Sequence, residues 1–198
     1  MNLDPISHFQ KLTRLVTKAV VTNREGKIFP IAEGISQALE MILVKSRKIM
    51  IIGNGGSAAI ASHFHNDLCY GVGIRATVFN DPSQLTALSN DYGYPSVFER
   101  PIHLWAKPGD LLIAISSSGK SENILRAVGA AQEHHCDVIT FSGFRSENPL
   151  RSMGKINFYI DSQSYGEVEV SHFALTHYLT DCAMQRCRTP SLESSRKR

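Results

Sequence analysis

The fold is decided by residues 48–68, KIMIIGNGGSAAIASHFHNDL, in which an apolar run leads into a turn of glycine, asparagine and serine. Helix-forming sequence with two histidines follows the turn. Short, almost continuously apolar runs are typical of parallel strands, because both faces of such strands are buried. The stretch therefore predicts a buried strand, a tight turn and a helix.

The same alternation of strand and helix continues along the chain. Further short apolar runs occur at RATVF (75–79), DLLIAI (110–115), DVITF (137–141) and INFYI (156–160), and a long closing helix is predicted in EVEVSHFALTHYLTDCAMQR. We therefore expect an α/β fold with a doubly wound, five-stranded parallel sheet flanked by helices. Helical spacing in PISHFQKLTRLVTKAVVTN and FPIAEGISQALEMILVKS predicts an N-terminal helical pair before the sheet.

Length and composition point to one ordinary globular domain. The chain has 198 residues, of which 42% are hydrophobic and 20% are charged, which is enough for a single buried core. We divide it into N-terminal helices (1–46) that pack on the core and on partner subunits, a core domain (47–187) and a basic tail (188–198). The tail is predicted to be disordered.

Several classes of protein are disfavoured by the sequence. The N-terminus has no signal pattern and no apolar run is long enough to span a bilayer, which argues against a membrane partner. The four cysteines are scattered without a CxxC pair, which fits a reducing cytoplasm. A net charge of only +3 and a single tryptophan argue against a nucleic-acid partner, because no stacking platform is present.

Two turns that follow predicted strands have the composition of phosphate-binding loops. In residues 53–57 the glycines let the backbone approach a ligand, although a tight connection without a ligand would use the same residues. The second turn, AISSSGKSEN (114–123), surrounds Gly119 with four hydroxyls. The string GKS also occurs in nucleoside triphosphatases, but Ala114 stands where that motif needs a glycine.

Both turns are expected at the carboxyl edge of the sheet, where doubly wound sheets bind their ligands. We therefore predict one phosphate-binding site there. Its candidate residues are Asn54, Gly55, Gly56, Ser57, Ser116, Ser117, Ser118 and Ser121.

Chemistry-bearing residues lie on the first motif helix and on the closing helix. His63 and Asp67 are four residues apart and project from one helix face. This spacing suits two ligands of one metal, a base beside its orienting partner, or a simple surface pair. On the closing helix, Glu169, His172 and His177 are polar residues in a mostly apolar stretch.

The separated motifs GNGGS…HF, ALSNDYGY and ISSSGKSEN together resemble the SIS (sugar isomerase) domain family, in its phosphoheptose isomerase branch. The resemblance covers about residues 28–185. It implies a SIS domain over 47–187 and an isomerase that interconverts sedoheptulose 7-phosphate and D-glycero-D-manno-heptose 7-phosphate through an enediolate. It also implies a homotetramer with active sites at subunit boundaries, and one zinc ion per subunit.

The resemblance also implies a metal set, formed by His63, Asp67, Glu169 and His177. The family usually has glutamate at the position of Asp67 and glutamine at the position of Glu169. Two carboxylates and two imidazoles still suit zinc. Glu169 and His177 are about 12 Å apart along a continuous helix, so both reach one ion only if they stretch or if the helix begins after Glu169.

Aldose–ketose exchange needs a base, an acid for the carbonyl oxygen and a group that stabilises the enediolate. We expect the catalytic residues to be Asp67, which removes the carbon-bound proton, and His177, which serves the oxygens. A metal at His63 would polarise the carbonyl, while Asn54 and Asp91 orient sugar hydroxyls.

Two alternatives remain open. One is a non-catalytic SIS-domain binding protein of the type that associates with a replication initiator. The other is an isomerase or sensor for a different phosphosugar.

Overall fold

The computed structural model describes residues 4–44 and 47–188. Within these ranges the chain forms a central sheet with helices on both faces. In chain order the main elements are α1 (Pro5–Thr17), β1 (Val20–Thr22), β2 (Ile28–Phe29), α2 (Ile31–Ile42), β3 (Ile49–Gly53), α3 (Gly56–Asn66), β4 (Ala76–Val78), α4 (Pro82–Tyr92), α5 (Glu99–Trp105), β5 (Leu111–Ser116), α6 (Glu122–Glu133), β6 (Asp137–Gly143), β7 (Ile156–Ile160) and α7 (Tyr165–Arg188). A π-helical segment follows α3 (Asp67–Val72), and 3₁₀ turns occupy Tyr94–Ser96 and Pro149–Ser152.

The predicted α/β class and its five parallel strands are confirmed. The described sheet has seven strands, however, in the order β2-β1-β7-β6-β5-β3-β4. The two additional strands form a hairpin inside the segment predicted as a helical pair, and β1 pairs antiparallel with β7, with Val21 opposite Phe158. The expected count of five was wrong because residues 20–22 continue the apolar spacing of α1, although they leave that helix.

Both faces of the sheet are buried, which explains the continuous apolar runs. In β3, Ile49 and Ile51 belong to the core cluster on the side of α2, α3 and α7, whereas Met50 and Ile52 belong to the cluster on the side of α5 and α6. Successive side chains of a strand point to opposite faces, so a strand with helices on both sides must be apolar at every position.

The strand order creates a crevice at one point of the carboxyl edge. From β3 the chain crosses to β4 on one side and afterwards to β5 on the other side of β3. The loops after β3 and β5 therefore diverge at the topological switch point, where open α/β sheets bind ligands. These loops are the two turns that the sequence singled out.

The N-terminal helix α1 lies on the outside of the molecule. Its Lys11 ammonium is 2.7 Å from the Glu167 carboxylate of α7, and within the described chain α1 buries none of its residues. The basic tail expected at 188–198 lies outside the described residues, apart from Arg188. Across the described ranges, no helix combines the length and the apolar character that a membrane crossing requires.

Candidate active site

Three polar side chains meet between α3 and α7. The Asp67 Oδ2 atom lies 3.3 Å from His63 Nε2 and 3.7 Å from His177 Nδ1. One ligand atom from each of the three residues lies within 4.8 Å of the others. Their side chains are 45% (His63), 19% (Asp67) and 44% (His177) exposed, so a ligand can reach them from solvent.

Local structure positions this trio. Asp67 begins the π-helical segment that extends α3, and such single-turn distortions of an α-helix are common at functional sites. The ring of Phe173, on α7, packs against both imidazoles, with its centroid 5.1 Å from that of His63 and 4.5 Å from that of His177. The aromatic contact limits the orientations that the two histidines can adopt.

The fourth residue of the expected metal set, Glu169, lies apart from the other three side chains in the fold. The helix α7 begins at Tyr165, before Glu169, so Glu169 and His177 are two turns apart, about 12 Å along the helix axis. The Glu169 carboxylate instead lies against Gly56, at the start of α3, where a side chain on Gly56 would collide with it. One chain thus brings together His63, Asp67 and His177 without Glu169.

The serine turn after β5 places hydroxyls and backbone N–H groups close together. Ser116 Oγ accepts a hydrogen bond from the Gly119 N–H (3.2 Å), and Ser118 Oγ accepts one from the Lys120 N–H (3.3 Å). Ser121 is the N-cap residue of α6, and its side chain does not cap the helix. The Ile124 N–H donates to the Ser121 carbonyl (3.0 Å), and the N–H groups of the first two residues of α6 have no acceptor within that helix. Unpaired N–H groups at a helix N-terminus favour anions.

Ser117 is the most informative residue of the turn. It is only 5% exposed, and its buried hydroxyl has no hydrogen-bond partner among the described residues. A buried polar group without a partner is costly, and native structures usually provide one. A bound phosphate oxygen would satisfy this hydroxyl.

Asn148 supports the serine turn from behind. It is 2% exposed, and its amide nitrogen donates to the carbonyls of Gly143 (3.1 Å) and Arg145 (2.8 Å). Its carboxamide lies against Gly119, which has a φ of 62° and leaves no room for a side chain. The backbone of the turn is also tied to β6, because the Gly143 N–H donates to the Ser117 carbonyl (3.0 Å).

Two amide side chains join the glycine turn to the serine turn. Asn54 Nδ2 donates to Asn123 Oδ1 (3.0 Å), and Asn123 Nδ2 donates back to Asn54 Oδ1 (2.9 Å). The Tyr94 hydroxyl also donates to Asn54 Oδ1 (2.9 Å). Asn123 and Tyr94 were not among the candidate residues, although they are the last residues of the quoted motifs ISSSGKSEN and ALSNDYGY.

The other predicted binding residues lie around the glycine turn or farther away. Gly55 is exposed with a φ of 53°, and Ser57 is buried in the first turn of α3. Gly53 has no space for a side chain, because the backbone of Ser57 lies directly against it. Asp91 is exposed on the last turn of α4, where it accepts a hydrogen bond from Asn90 (2.9 Å).

His172, the remaining polar residue of α7, is fully buried. Burial lowers the pKa of its imidazole to about 4, although a hydrogen bond with the Ser142 carbonyl (3.1 Å) works in the opposite direction. The neutral ring therefore donates from Nε2 to that carbonyl. His172 thus ties α7 to β6, and its buried ring stays neutral at neutral pH.

Comparison with known proteins places this geometry in a family. A model of the SIS domain matches residues 8–143. The chain is 35% identical over 172 residues to the phosphoheptose isomerase of Helicobacter hepaticus, a match that covers 81% of this chain and 86% of the relative. It is 34% identical over 165 residues to a probable phosphoheptose isomerase of Thermoplasma acidophilum, with 80% and 86% covered.

Solved structures agree. The phosphoheptose isomerase of Neisseria gonorrhoeae superposes with a TM-score of 0.78 at 32% identity, over 91% of this chain and 96% of the other. That of Francisella tularensis superposes with a TM-score of 0.79 at 27% identity, over 93% and 99%. The chain belongs to the SIS-domain family, in its phosphoheptose isomerase branch.

Proposed function

We propose that this protein is an aldose–ketose isomerase that interconverts sedoheptulose 7-phosphate and D-glycero-D-manno-heptose 7-phosphate. The observation that carries the proposal is the Asp67 carboxylate, held within 3.7 Å of the imidazoles of His63 and His177. A carboxylate beside imidazoles supplies the base and the acid that this exchange requires. The names of the relatives support the seven-carbon phosphosugar as substrate.

The serine turn holds the phosphate of the sugar. The hydroxyls of Ser116, Ser117, Ser118 and Ser121 and the first N–H groups of α6 donate to its oxygens, as helix N-termini do for phosphate groups. Asn54, in the glycine turn, orients sugar hydroxyls. Asp91 orients a further hydroxyl at the end of α4. Binding at the phosphate end fixes the position of the reacting carbons at the other end.

Proton transfer falls to two residues. Asp67 removes the proton from the carbon next to the carbonyl and returns it to the neighbouring carbon, so that an enediolate forms between the two steps. His177 moves the hydroxyl proton between the two adjacent oxygens. The imidazole of His63, 3.3 Å from Asp67, orients the carboxylate and offsets the charge of the enediolate.

The donor set also fits a zinc ion. Two imidazole nitrogens and one carboxylate oxygen within 4.8 Å of one another are a common ligand set of catalytic zinc. His63, Asp67 and His177 would hold the ion, which supplies Lewis-acid polarisation of the carbonyl oxygen when bound. Glu169 would have to reach it from a position two helical turns away, or from another subunit.

We further infer a homo-oligomer, the tetramer of the family, in which the active site is shared between subunits. The helices α3 and α7 run side by side, with Gly56 next to Glu169 and His63 next to His177. The catalytic trio is therefore about 10 Å along α3 from the glycine turn. A partner subunit that packs on this face would complete the site.

The exposed side of α1 supports such an assembly. Ile6 and Phe9 are 63% and 61% exposed, which is unusual for the apolar face of an amphipathic helix. The N-terminal segment 1–46 would then contact partner subunits. All four cysteines are free in the part of the chain that the structure describes, in keeping with our expectation of a cytoplasmic enzyme.

Replacement of Asp67 by Asn tests the catalytic role. We expect Asp67→Asn to lower kcat for sedoheptulose 7-phosphate by about 100-fold or more, with KM within about threefold, because the amide cannot accept the proton. Asp181→Asn, at an exposed position one turn beyond His177 on α7, is the matched control and should leave kcat unchanged. Equal turnover by Asp67→Asn and the control would remove Asp67 from the role of base.

Mixed oligomers test the shared site. Asp67→Asn subunits, which have a low kcat, and Ser117→Ala subunits, which have a raised KM, are unfolded and refolded together and assayed at a substrate concentration below KM, where each variant alone turns over poorly. If subunits share sites, mixed oligomers contain some sites with neither substitution, and turnover returns. Absence of any recovery would show that each chain holds a complete site.

A further inference from the structure

A second cavity lies at the amino ends of the strands, on the edge opposite the serine turn. Its volume is about 600 Å³, within the range of small-molecule sites. Its lining includes residues that immediately precede β3, β4 and β5. Cationic and apolar side chains form most of its wall: Arg47, Lys48, Arg75, Leu104, Trp105 and Lys107.

Four cations line this cavity together with one carboxylate, that of Asp110. The oxygens of Asp110 are already engaged. Oδ1 accepts from the Lys48 N–H (3.1 Å), and Oδ2 accepts from the Lys107 N–H (2.8 Å) and from the Lys48 ammonium. Burial acts to raise the pKa of Asp110, but the hydrogen bonds from Lys48 outweigh it and hold that pKa below its ordinary value.

A second carboxylate behind the cavity is shared by two cations. Asp137 binds Arg47 (2.9 Å) and also the ammonium of Lys155. The Nε atom of Arg47 is buried without a hydrogen-bond partner among the described residues. Even without Arg75, four cations at and behind the cavity face two carboxylates, so this region keeps a surplus of positive charge. The cations are Arg47, Lys48, Lys107 and Lys155, and the carboxylates are Asp110 and Asp137. An anion of more than one charge complements such a surface.

The cavity also has an apolar wall at the end of α5. Leu104 is 81% exposed and Trp105 is 52% exposed, while the indole centroid lies 6.4 Å from that of Phe79. A half-exposed indole held from one side offers its free surface to a planar ring, and stacking of a nucleobase on an aromatic side chain is favourable for every base.

From these two features we propose that this cavity is a binding site for a nucleoside diphosphate or triphosphate. The base stacks on Trp105 beside Leu104, and the phosphates contact Lys107, Arg75 and Arg47. The site is separated from the serine turn by the six residues of β5, about 20 Å, so it does not overlap the phosphosugar site. The proposal is independent of the proposed isomerase activity.

Trp105 is the only tryptophan of the chain, so its fluorescence reports directly on this cavity. ADP is titrated into the full-length protein, and inorganic pyrophosphate, which lacks the base, is titrated in parallel. We expect a saturable change of emission with ADP and a dissociation constant at least about tenfold larger for pyrophosphate, because stacking is lost. Emission that does not respond to ADP, or pyrophosphate that binds as tightly as ADP, would overturn the proposal.

Two variants and a competition assign the signal to the cavity. Lys107→Glu should weaken ADP binding by about tenfold or more, whereas Lys18→Glu, at the far end of α1, should leave it unchanged. Arg75→Gln replaces Lys107→Glu if the latter does not give a native circular dichroism spectrum. Saturating sedoheptulose 7-phosphate should not displace ADP. Displacement, or equal affinity in all variants, would mean that ADP binds elsewhere.

Discussion

Lowering the pH from 7 to 5 should destabilise the fold through one buried group, His172. Its pKa is 6.5 in the unfolded chain and about 4 in the fold, because burial disfavours the imidazolium. Between these values the unfolded chain binds a proton that the folded chain does not bind, so stability falls as the pH falls. The full difference between the two pKa values lowers the free energy of unfolding by about 3 kcal/mol at low pH, and about 2 kcal/mol of this loss occurs between pH 7 and pH 5.

Urea unfolding at the two pH values measures this loss. A change of about 2 kcal/mol lowers the urea midpoint by roughly 1 M. Carboxylates contribute little in this window, because their unfolded pKa values lie below it. The variant His172→Phe, which cannot take up the proton, should lose most of this pH dependence, and His8→Gln, at an exposed position in α1, should retain it.

The test compares how much the free energy of unfolding changes between the two pH values, so it remains valid if His172→Phe is less stable than the wild type at both. His172→Asn serves as a second variant if the phenylalanine does not fit. A wild-type protein and a His172→Phe variant with the same dependence of unfolding free energy on pH would refute the reasoning.

Three further predictions concern the turns. Ser117→Ala should leave the free protein at least as stable as the wild type, because an unpartnered buried hydroxyl is removed. The same substitution should raise KM about tenfold, because the hydroxyl no longer binds the phosphate. A loss of stability with unchanged KM would contradict the phosphate role. Asn148→Ala should lower the unfolding free energy by about 1–3 kcal/mol and raise KM more than it lowers kcat, whereas Asn90→Ala, at an exposed position, should do neither. Gly53→Ala should lower the free energy of unfolding, measured with urea, by about 1–3 kcal/mol, because the new methyl group meets the Ser57 backbone. Gly56→Ala should lower it by less than about 1 kcal/mol, because its methyl group meets only the flexible end of Glu169. Equal losses for the two variants would refute the packing assigned to this turn.

The strands β3, β5 and β6 could be predicted from the sequence because each is a buried apolar run that ends in glycine or serine. The strands β4 and β7 were predicted from their short apolar runs alone. The hairpin of β1 and β2 could not be, since strands of three and two residues are too short for a period to be visible. Residues 20–22 also extend the apolar spacing of α1. Their strand conformation depends on pairing with β7, which is more than 130 residues away in sequence.

The site was predictable to different degrees. The i,i+4 spacing of His63 and Asp67 indicated a shared helix face, and the structure brings these side chains together. The position of His177 next to them came from the family resemblance, since helix periodicity does not reveal which helices pack against each other. The separation of Glu169 from the trio follows from the continuity of α7, which only the structure provides. The partners of Asn54 are 40 and 69 residues distant and have no local signal.

The reciprocal bonds between Asn54 and Asn123 have a consequence for how the chain can vary. Each carboxamide both donates and accepts a hydrogen bond. An aspartate at either position would therefore place a carboxylate oxygen against the amide oxygen of the other residue. An aspartate opposite a side chain that only donates would restore the match. A scan that alters one position at a time would therefore score both asparagines as indispensable. The feature that must be preserved is the complementarity of the pair, so a matched exchange at both positions is tolerated better than either single exchange.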